Sequence, residues 1–277
     1  MEFHEIESAG LPFVVSQEGE GPDAVLVHGF PDTPHSFAGL QRELVQAGWR
    51  VTVPWLRGYH PETIVPGRPY DAETIGRDGL ALLDAIGAQR ALFVGHDWGV
   101  LMCYAVAALA PERLRGIVAI AIPHPSRLRP TPASLYAARH FISLKLPWAE
   151  ARTRRGDFAY LDKLYSRWSP NWSGPERERS LADAKQALSK PEALTGAIDY
   201  YRALSFRGSP LLEDVPNVKN LAIAGTADVA PVELYENVSE LFPPPSRALI
   251  VPNAGHWVHR EDEARVNAEI VRFAREL

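Results

Sequence analysis

The chain has 277 residues, 46% hydrophobic and 23% charged, which fits one large core domain with an insertion and gives no compositional sign of disorder. Its formal net charge of −5 and the lack of any long basic run in the sequence argue against a nucleic-acid surface. The single cysteine, Cys103, excludes an intramolecular disulfide and a cysteine-based metal site.

The first five residues, MEFHE, have neither the basic nor the apolar region of a secretory signal. We therefore expect a cytoplasmic protein, unless a leader was removed before this numbering begins. Apolar runs such as 117–122 are far shorter than the roughly 20 residues that a membrane helix requires. No membrane span is predicted.

Short apolar runs recur along the chain and end in turn residues, which is the pattern of buried strands. These runs lie at 24–27, 50–53, 91–94, 116–122, 221–224 and 248–251. Helical patterns separate them. Strands that alternate with helices predict an α/β fold with a mostly parallel central sheet flanked by helices on both faces.

Two of the helical patterns carry end signals. Asp71 is placed to cap a helix whose apolar residues fall on one face, and Gly87 is placed to end it. The last segment begins with the acidic residues 261–263 and continues with apolar residues at helical spacing. Those apolar residues are Val266, Ile270, Phe273 and Leu277.

The alternation stops between about residues 123 and 216, where strand-like runs disappear. This stretch predicts an inserted helical cap at 123–216, with a core domain formed by 1–122 and 217–277. Amphipathic patterns within the insertion predict several helices. They cover 135–146, 157–168, 176–188 and 192–204.

The motif Gly95-His96-Asp97-Trp98-Gly99 has the shape of a nucleophile elbow, with aspartate where most hydrolases have serine. It stands between a predicted strand and a helix-compatible run, as an elbow requires. A carboxylate displaces a leaving group from saturated carbon, which predicts a substrate with a strained or polarised C–O or C–halogen bond. The alternative is a tight turn in which Asp97 caps the next helix.

Two later motifs supply partners for Asp97. Asp228 follows the strand predicted at 221–224, and His256 follows the strand predicted at 248–251. Each alone is typical of a surface turn or a loop. Together with Asp97 they give the order of nucleophile, acid and histidine that is expected of an α/β-hydrolase.

With the segment His28-Gly29-Phe30-Pro31, these motifs resemble the epoxide hydrolase and haloalkane dehalogenase branch of the α/β-hydrolases over essentially the whole chain. The resemblance implies the α/β-hydrolase fold with a cap. It also implies that Asp97 forms an alkyl-enzyme ester, which water activated by His256 then hydrolyses.

The same resemblance implies roles for neighbouring groups. Asp228 would orient the imidazole of His256 and stabilise its cationic form. The backbone NH groups of Phe30 and Trp98 would form an oxyanion hole for the ester hydrolysis step. Pro31 would stiffen the loop that carries Phe30.

Opening an epoxide also requires a proton donor for the departing oxygen, which cap tyrosines supply in similar epoxide hydrolases. The segment Asp199-Tyr200-Tyr201-Arg202 resembles one of their motifs and places Tyr201 as a donor. The other donor position, seven residues before Pro147, holds His140. The alternative for Tyr201 is an aromatic residue that only packs against a neighbouring helix, and the alternative for His140 is a solvated helix residue. If His140 is not a donor, Tyr136, Tyr160 and Tyr165 remain as substitutes.

A haloalkane dehalogenase with the same Asp97 nucleophile is the alternative activity. Trp98 meets its need for an NH donor beside the nucleophile, whereas Phe30 stands where those enzymes often have asparagine. A second alternative is a non-catalytic ligand-binding protein with this fold, although a pure binder has no need of an oriented base. A serine esterase is disfavoured because the sequence contains no G-x-S-x-G motif.

The expected substrate is a small hydrophobic epoxide, or a haloalkane, together with water. The pocket is predicted to be lined by Phe30, Pro31, Trp98, Phe141 and Trp257. No cofactor and no metal-ligand cluster are expected. The sequence leaves the oligomeric state open, including a homodimer.

Overall fold

The computed structural model describes residues 1–127, 139–205 and 208–277. Its strands are β1 (His4–Ser8), β2 (Leu11–Glu18), β3 (Asp23–Val27), β4 (Arg50–Pro54), β5 (Ala91–His96), β6 (Leu114–Ile120), β7 (Asn220–Gly225) and β8 (Arg247–Val251). Among the described residues these eight strands form one sheet in the order β1-β2-β4-β3-β5-β6-β7-β8.

Strands β3 to β8 pair in parallel, so their carboxyl ends meet at one edge of the sheet. Each of the six predicted strand runs coincides with or overlaps one of these strands. The predicted α/β-hydrolase fold with a mostly parallel sheet is confirmed. Ligand sites in such sheets lie at the carboxyl edge, which is where the predicted catalytic residues follow their strands.

The hairpin of β1 and β2 was not predicted. β1 pairs antiparallel with β2, and β2 pairs antiparallel with β4. The turn between them is Ala9-Gly10, and both residues have positive φ, as two-residue hairpin turns often require. β1 lies at the sheet edge and is largely exposed, so it lacks the continuous apolar run that marks the buried strands.

The helices are α1 (Ala38–Gln46), α2 (Ala72–Ala85), α3 (Trp98–Leu109), α4 (Arg139–Lys145), α5 (Ala149–Trp168), α6 (Pro175–Leu188), α7 (Pro191–Ala203), α8 (Val238–Leu241), α9 (Val258–Glu261) and α10 (Glu263–Ala274). Alternate residues of β5 belong to different cores. Phe93 packs in the cluster that contains residues of α2 and α3, whereas Leu92 and Val94 pack in the cluster that contains residues of α1 and α10. The sheet is therefore covered on both faces.

Helix α2 begins and ends where the sequence predicted. The Asp71 carboxylate accepts a hydrogen bond from the Thr74 amide at 3.1 Å, which satisfies one free NH of the first turn. Ile75, Leu82 and Leu83 are buried. Gly87 follows with a φ of +68°, a conformation that favours glycine.

Helices α4 to α7 lie between β6 and β7 in the chain. Three predicted helices correspond to α5, α6 and α7, and the described part of the fourth corresponds to α4; residues 135–138 lie outside the described residues. α5 begins at Ala149, earlier than predicted, and is interrupted at 155–158 by non-helical dihedral angles. This interruption explains why the sequence pattern indicated a helix only from residue 157. The division into a core domain and a cap stays a prediction.

Within the described ranges, no helix combines the length and the apolar character that crossing a membrane would require.

Candidate active site

The nucleophile elbow forms a sharp turn between β5 and α3. Asp97 sits at its tip with a φ of +51° and a ψ of −115°, which is strained for a residue with a side chain. A Cβ on Gly95 would lie 2.4 Å from the carbonyl carbon of Gly99, and one on Gly99 would lie 2.0 Å from the carbonyl oxygen of Val27. Only glycine permits this approach of strand and helix.

The Asp97 side chain points away from the helix that it precedes. It makes no capping hydrogen bond to α3. Instead its Oδ1 accepts a hydrogen bond of 2.8 Å from the backbone NH of Phe30, in the loop after β3. The structure therefore does not support the helix-cap alternative. The second expected oxyanion donor, the Trp98 amide, stays a prediction.

His256 and Asp228 lie on the loops after β8 and β7, beside Asp97. The Nδ1 atom of His256 is 3.0 Å from Oδ2 of Asp228, and its Nε2 atom is 3.5 Å from Oδ2 of Asp97. The side chains of His256 and Asp228 are 5% and 1% exposed, so both are shielded from water. With Asp228 accepting the Nδ1 proton, Nε2 is left facing the candidate nucleophile.

The charges of this trio stabilise one another. Burial alone would disfavour the imidazolium, but the carboxylates of Asp228 and Asp97 raise the pKa of His256 to about 10. Burial likewise opposes the Asp97 carboxylate, yet its contact with His256 and the hydrogen bond from the Phe30 amide hold the pKa of Asp97 below its usual value. At neutral pH the pair is therefore carboxylate and imidazolium.

Tyr201 lies on α7, over the elbow. Its ring makes edge contacts with Phe30 and Trp98, at centroid distances of 5.2 and 4.9 Å. Burial and the nearby Asp97 carboxylate raise the pKa of Tyr201 well above its usual value. The phenol therefore stays protonated and able to donate a hydrogen bond.

His140 lies on α4, with its ring 5.9 Å from that of Tyr201. Its Nδ1 atom is 3.1 Å from a guanidinium nitrogen of Arg167. Arginine only donates, so Nδ1 of His140 accepts and the proton of the neutral ring resides on Nε2. His140 is only 7% exposed, so it is not a solvated helix residue.

The substitute donors are placed differently. The Tyr165 hydroxyl donates to the carbonyl oxygen of Pro31 at 3.1 Å, which occupies its proton. The Tyr160 hydroxyl pairs with that of Ser143 at 3.0 Å. Tyr136 lies outside the described residues.

The four aromatic residues predicted for the pocket separate into two groups. Phe30, Trp98 and Phe141 all contact the ring of Tyr201. Trp257 instead stacks on Tyr165 at a centroid distance of 3.9 Å and is fully buried. The structure thus assigns Trp257 to an aromatic stack beside His256 and not to the group around Tyr201.

Helix α7 approaches the core unusually closely. A Cβ on Gly196 would lie 2.4 Å from the carbonyl oxygen of Gly58. One turn along, the hydroxyl of Tyr200 donates to the carbonyl oxygen of Arg57 at 2.9 Å. These contacts fix α7, and Tyr201 with it, relative to the loop after β4.

Glu261 braces the loop of His256, a role that the sequence did not reveal. Its carboxylate accepts hydrogen bonds from the Gly255 amide at 2.8 Å and from the Ser169 hydroxyl at 2.6 Å. The His256 amide donates to the carbonyl oxygen of Trp168 at 2.9 Å. From the sequence, Glu261 is interpreted only as an acidic residue that favours the start of a helix.

A second buried group lies behind His256. Asp32, His96 and His259 place one potential ligand atom each within 4.8 Å of one another. The sequence indicated no metal-ligand cluster, whereas the geometry of these three residues could hold an ion. The three residues are far apart in sequence, so no spacing motif indicated them.

Comparison with known proteins agrees with this architecture. The family model described as alpha/beta hydrolase fold matches residues 25–263. The AB hydrolase superfamily protein YfhM of Bacillus subtilis is 30% identical, covering 97% of this chain and 96% of its own. Epoxide hydrolase A of Mycobacterium tuberculosis is 26% identical, covering 97% and 95%. The structure of potato epoxide hydrolase I has a TM-score of 0.84 at 22% identity, covering 100% and 99%, which shows a shared fold.

Proposed function

Because the chain belongs to the alpha/beta hydrolase fold family, we propose that it is an epoxide hydrolase that opens a small hydrophobic epoxide to a vicinal diol. One observation carries the proposal: the Asp97 carboxylate is held between the Phe30 amide and the imidazole of His256. The epoxide hydrolases among its relatives support the substrate class. We further propose that residues 123–216 act as the cap, since Tyr201 and His140 both come from them.

In the first step an Asp97 oxygen attacks a saturated carbon of the epoxide. The C–O bond breaks, its electron pair moves to the epoxide oxygen, and that oxygen takes a proton from the Tyr201 phenol. His140, whose ring lies 5.9 Å from that of Tyr201, is the candidate second donor. An ester forms on Asp97, so the negative charge beside His256 disappears.

Loss of that charge prepares the second step. The Asp97 carboxylate helps to raise the pKa of His256, so converting it to a neutral ester lowers this pKa. His256 then releases its proton, which restores the Tyr201 phenol, and becomes a base. Formation of the ester therefore produces the neutral imidazole that acts as the base in the second step.

In the second step neutral His256 removes a proton from water, whose oxygen attacks the Asp97 carbonyl carbon. The Phe30 and Trp98 amides stabilise the resulting oxyanion, and losing one such donor typically costs about 10²-fold in rate. Collapse breaks the ester C–O bond, and the hydroxyl proton of the intermediate passes to the leaving alkoxide. Asp97 returns to a carboxylate and His256 to an imidazolium paired with Asp228.

The decisive experiment uses the variant His256→Gln with styrene oxide. Alkylation proceeds and hydrolysis stops, so intact-mass spectrometry should show one substrate adduct, which peptide mapping places on Asp97. The double variant with Asp97→Asn is the control and should show none. An adduct on another residue, or no adduct while wild type turns over, would exclude the covalent mechanism.

Isotope labelling of the wild type tests the same mechanism independently. In a single turnover in heavy-oxygen water, the label should enter Asp97 and be absent from the first diol. Label in the first diol would mean that water attacks the epoxide directly.

One observation favours haloalkane dehalogenation as a second candidate. The indole NH of Trp98 is buried beside the Tyr201 side chain, and a halide would accept a hydrogen bond from it. A panel of brominated alkanes beside aliphatic, styrene-type and fatty-acid epoxides separates the two activities. Halide release with inert epoxides would replace the epoxide hydrolase proposal.

A further inference from the structure

Three buried side chains, each with one potential ligand atom, converge behind His256. Oδ2 of Asp32 lies 3.4 Å from Nδ1 of His96 and 4.0 Å from Nε2 of His259. Each residue is at most 3% exposed. None of these three atoms has a hydrogen-bond partner among the described residues.

The other contacts of Asp32 and His96 indicate which of their atoms can donate an electron pair. Nε2 of His96 lies 3.1 Å from the carbonyl oxygen of His256, and a carbonyl only accepts, so this nitrogen carries the ring proton. In the neutral ring, Nδ1 of His96 therefore directs an electron pair toward Asp32. The other oxygen of Asp32 accepts from the Thr33 amide at 2.8 Å, which leaves Oδ2 turned to the two histidines.

Facing lone pairs repel unless a cation lies between them. We infer that Asp32, His96 and His259 form a binding site for a divalent cation of the zinc class. Two imidazole nitrogens and one carboxylate oxygen are a ligand set that suits Zn²⁺ or Co²⁺ better than Mg²⁺ or Ca²⁺.

The distances allow one ion to be shared. Ligand atoms bound to zinc at about 2.0–2.2 Å can be at most about 4.4 Å apart. Oδ2 of Asp32 is within this limit of both histidines, at 3.4 and 4.0 Å. All three atoms lie within 4.8 Å of one another, so a shift of at most about 0.4 Å brings the two histidines within the limit as well. The hydrogen bond from Nε2 of His96 to a backbone carbonyl is also the outer contact that metal-binding histidines usually make.

The cluster adjoins the candidate base. His96 is linked to the backbone of His256, and the two rings are 4.9 Å apart. Binding of the ion does not rest on the proposed function.

The test measures binding directly, on untagged protein produced in zinc- or cobalt-supplemented medium and then dialysed. We expect one equivalent of metal by mass spectrometry, and for Co²⁺ the intense visible absorption of a four-coordinate site. His259→Gln should lose at least most of this equivalent. His35→Gln, which removes an exposed histidine of the neighbouring loop, should retain it.

Two results would overturn the inference: less than stoichiometric metal in the wild type, or equal metal in wild type and His259→Gln. The first would mean that a proton, not a metal, lies between Asp32 and His96. Should His259→Gln fold poorly, Asp32→Asn and the ¹⁵N chemical shifts of the wild-type imidazoles with Zn²⁺ decide the matter. Unmoved His96 and His259 resonances would exclude the site.

Binding in a protein inactive on every epoxide would keep the site and refute the proposed function.

Discussion

Replacing Gly196 with alanine should displace the helix that carries Tyr201. The new Cβ would lie 2.4 Å from the carbonyl oxygen of Gly58 and 2.7 Å from its Cα. Non-bonded heavy atoms settle at about 3.5 Å or more, so α7 must move away from Gly58 by about 1 Å. Tyr201 lies on the same helix and moves with it.

The expected effect is selective for the first chemical step. A misplacement of about 1 Å costs about 10²-fold in rate, so alkylation should slow by about that factor. Hydrolysis of the ester should stay near the wild-type rate, because His256, Asp228 and Phe30 are not on α7. Alanine gains about 1 kcal/mol of helix propensity and loses about 1–3 kcal/mol to overpacking, so the variant should fold.

Stopped-flow tryptophan fluorescence with excess styrene oxide separates the two rates. Thr195→Ala is the matched control, because Thr195 is exposed one position earlier on the same helix. If Gly196→Ala alkylates at the wild-type rate, the contact with Gly58 does not set the position of Tyr201. If both steps slow equally, the substitution disturbs the whole site instead.

Three further predictions address the donor, the base and a helix cap. Tyr201→Phe removes the proposed proton donor and should slow alkylation by about 10²–10⁴-fold without changing the rate of hydrolysis. Rapid-quench kinetics measures both rates, with Tyr160→Phe as the control. In the free enzyme, NMR should find the pKa of His256 at about 10. Hydrolysis needs the neutral base, so its single-turnover rate should rise with pH through a lower midpoint, because the ester has lost the charge of Asp97. A hydrolysis midpoint at or above the free-enzyme value would contradict this coupling. Asp71→Ala removes the cap of α2 and should lower the free energy of unfolding by about 1 kcal/mol in urea titrations, with both kinetic steps unchanged.

Local patterns in the sequence determined the parallel part of the sheet and the candidate catalytic trio of Asp97, Asp228 and His256. Buried strands read as short apolar runs, and catalytic residues that follow such strands must meet at one sheet edge. Gly95 and Gly99 marked the elbow because no larger residue fits there. The edge strand β1 was not predicted, because a half-exposed strand has no continuous apolar run.

Tertiary structure alone decided which distant residues surround that trio. The sheet order brings Asp32 and His259 close to His96. It also lets Glu261 accept a hydrogen bond from the loop of His256, and it stacks Trp257 on Tyr165. Periodicity in a sequence reports the local backbone and which face is buried. Contacts between loops that follow different strands depend on strand order and helix packing, which no local pattern encodes.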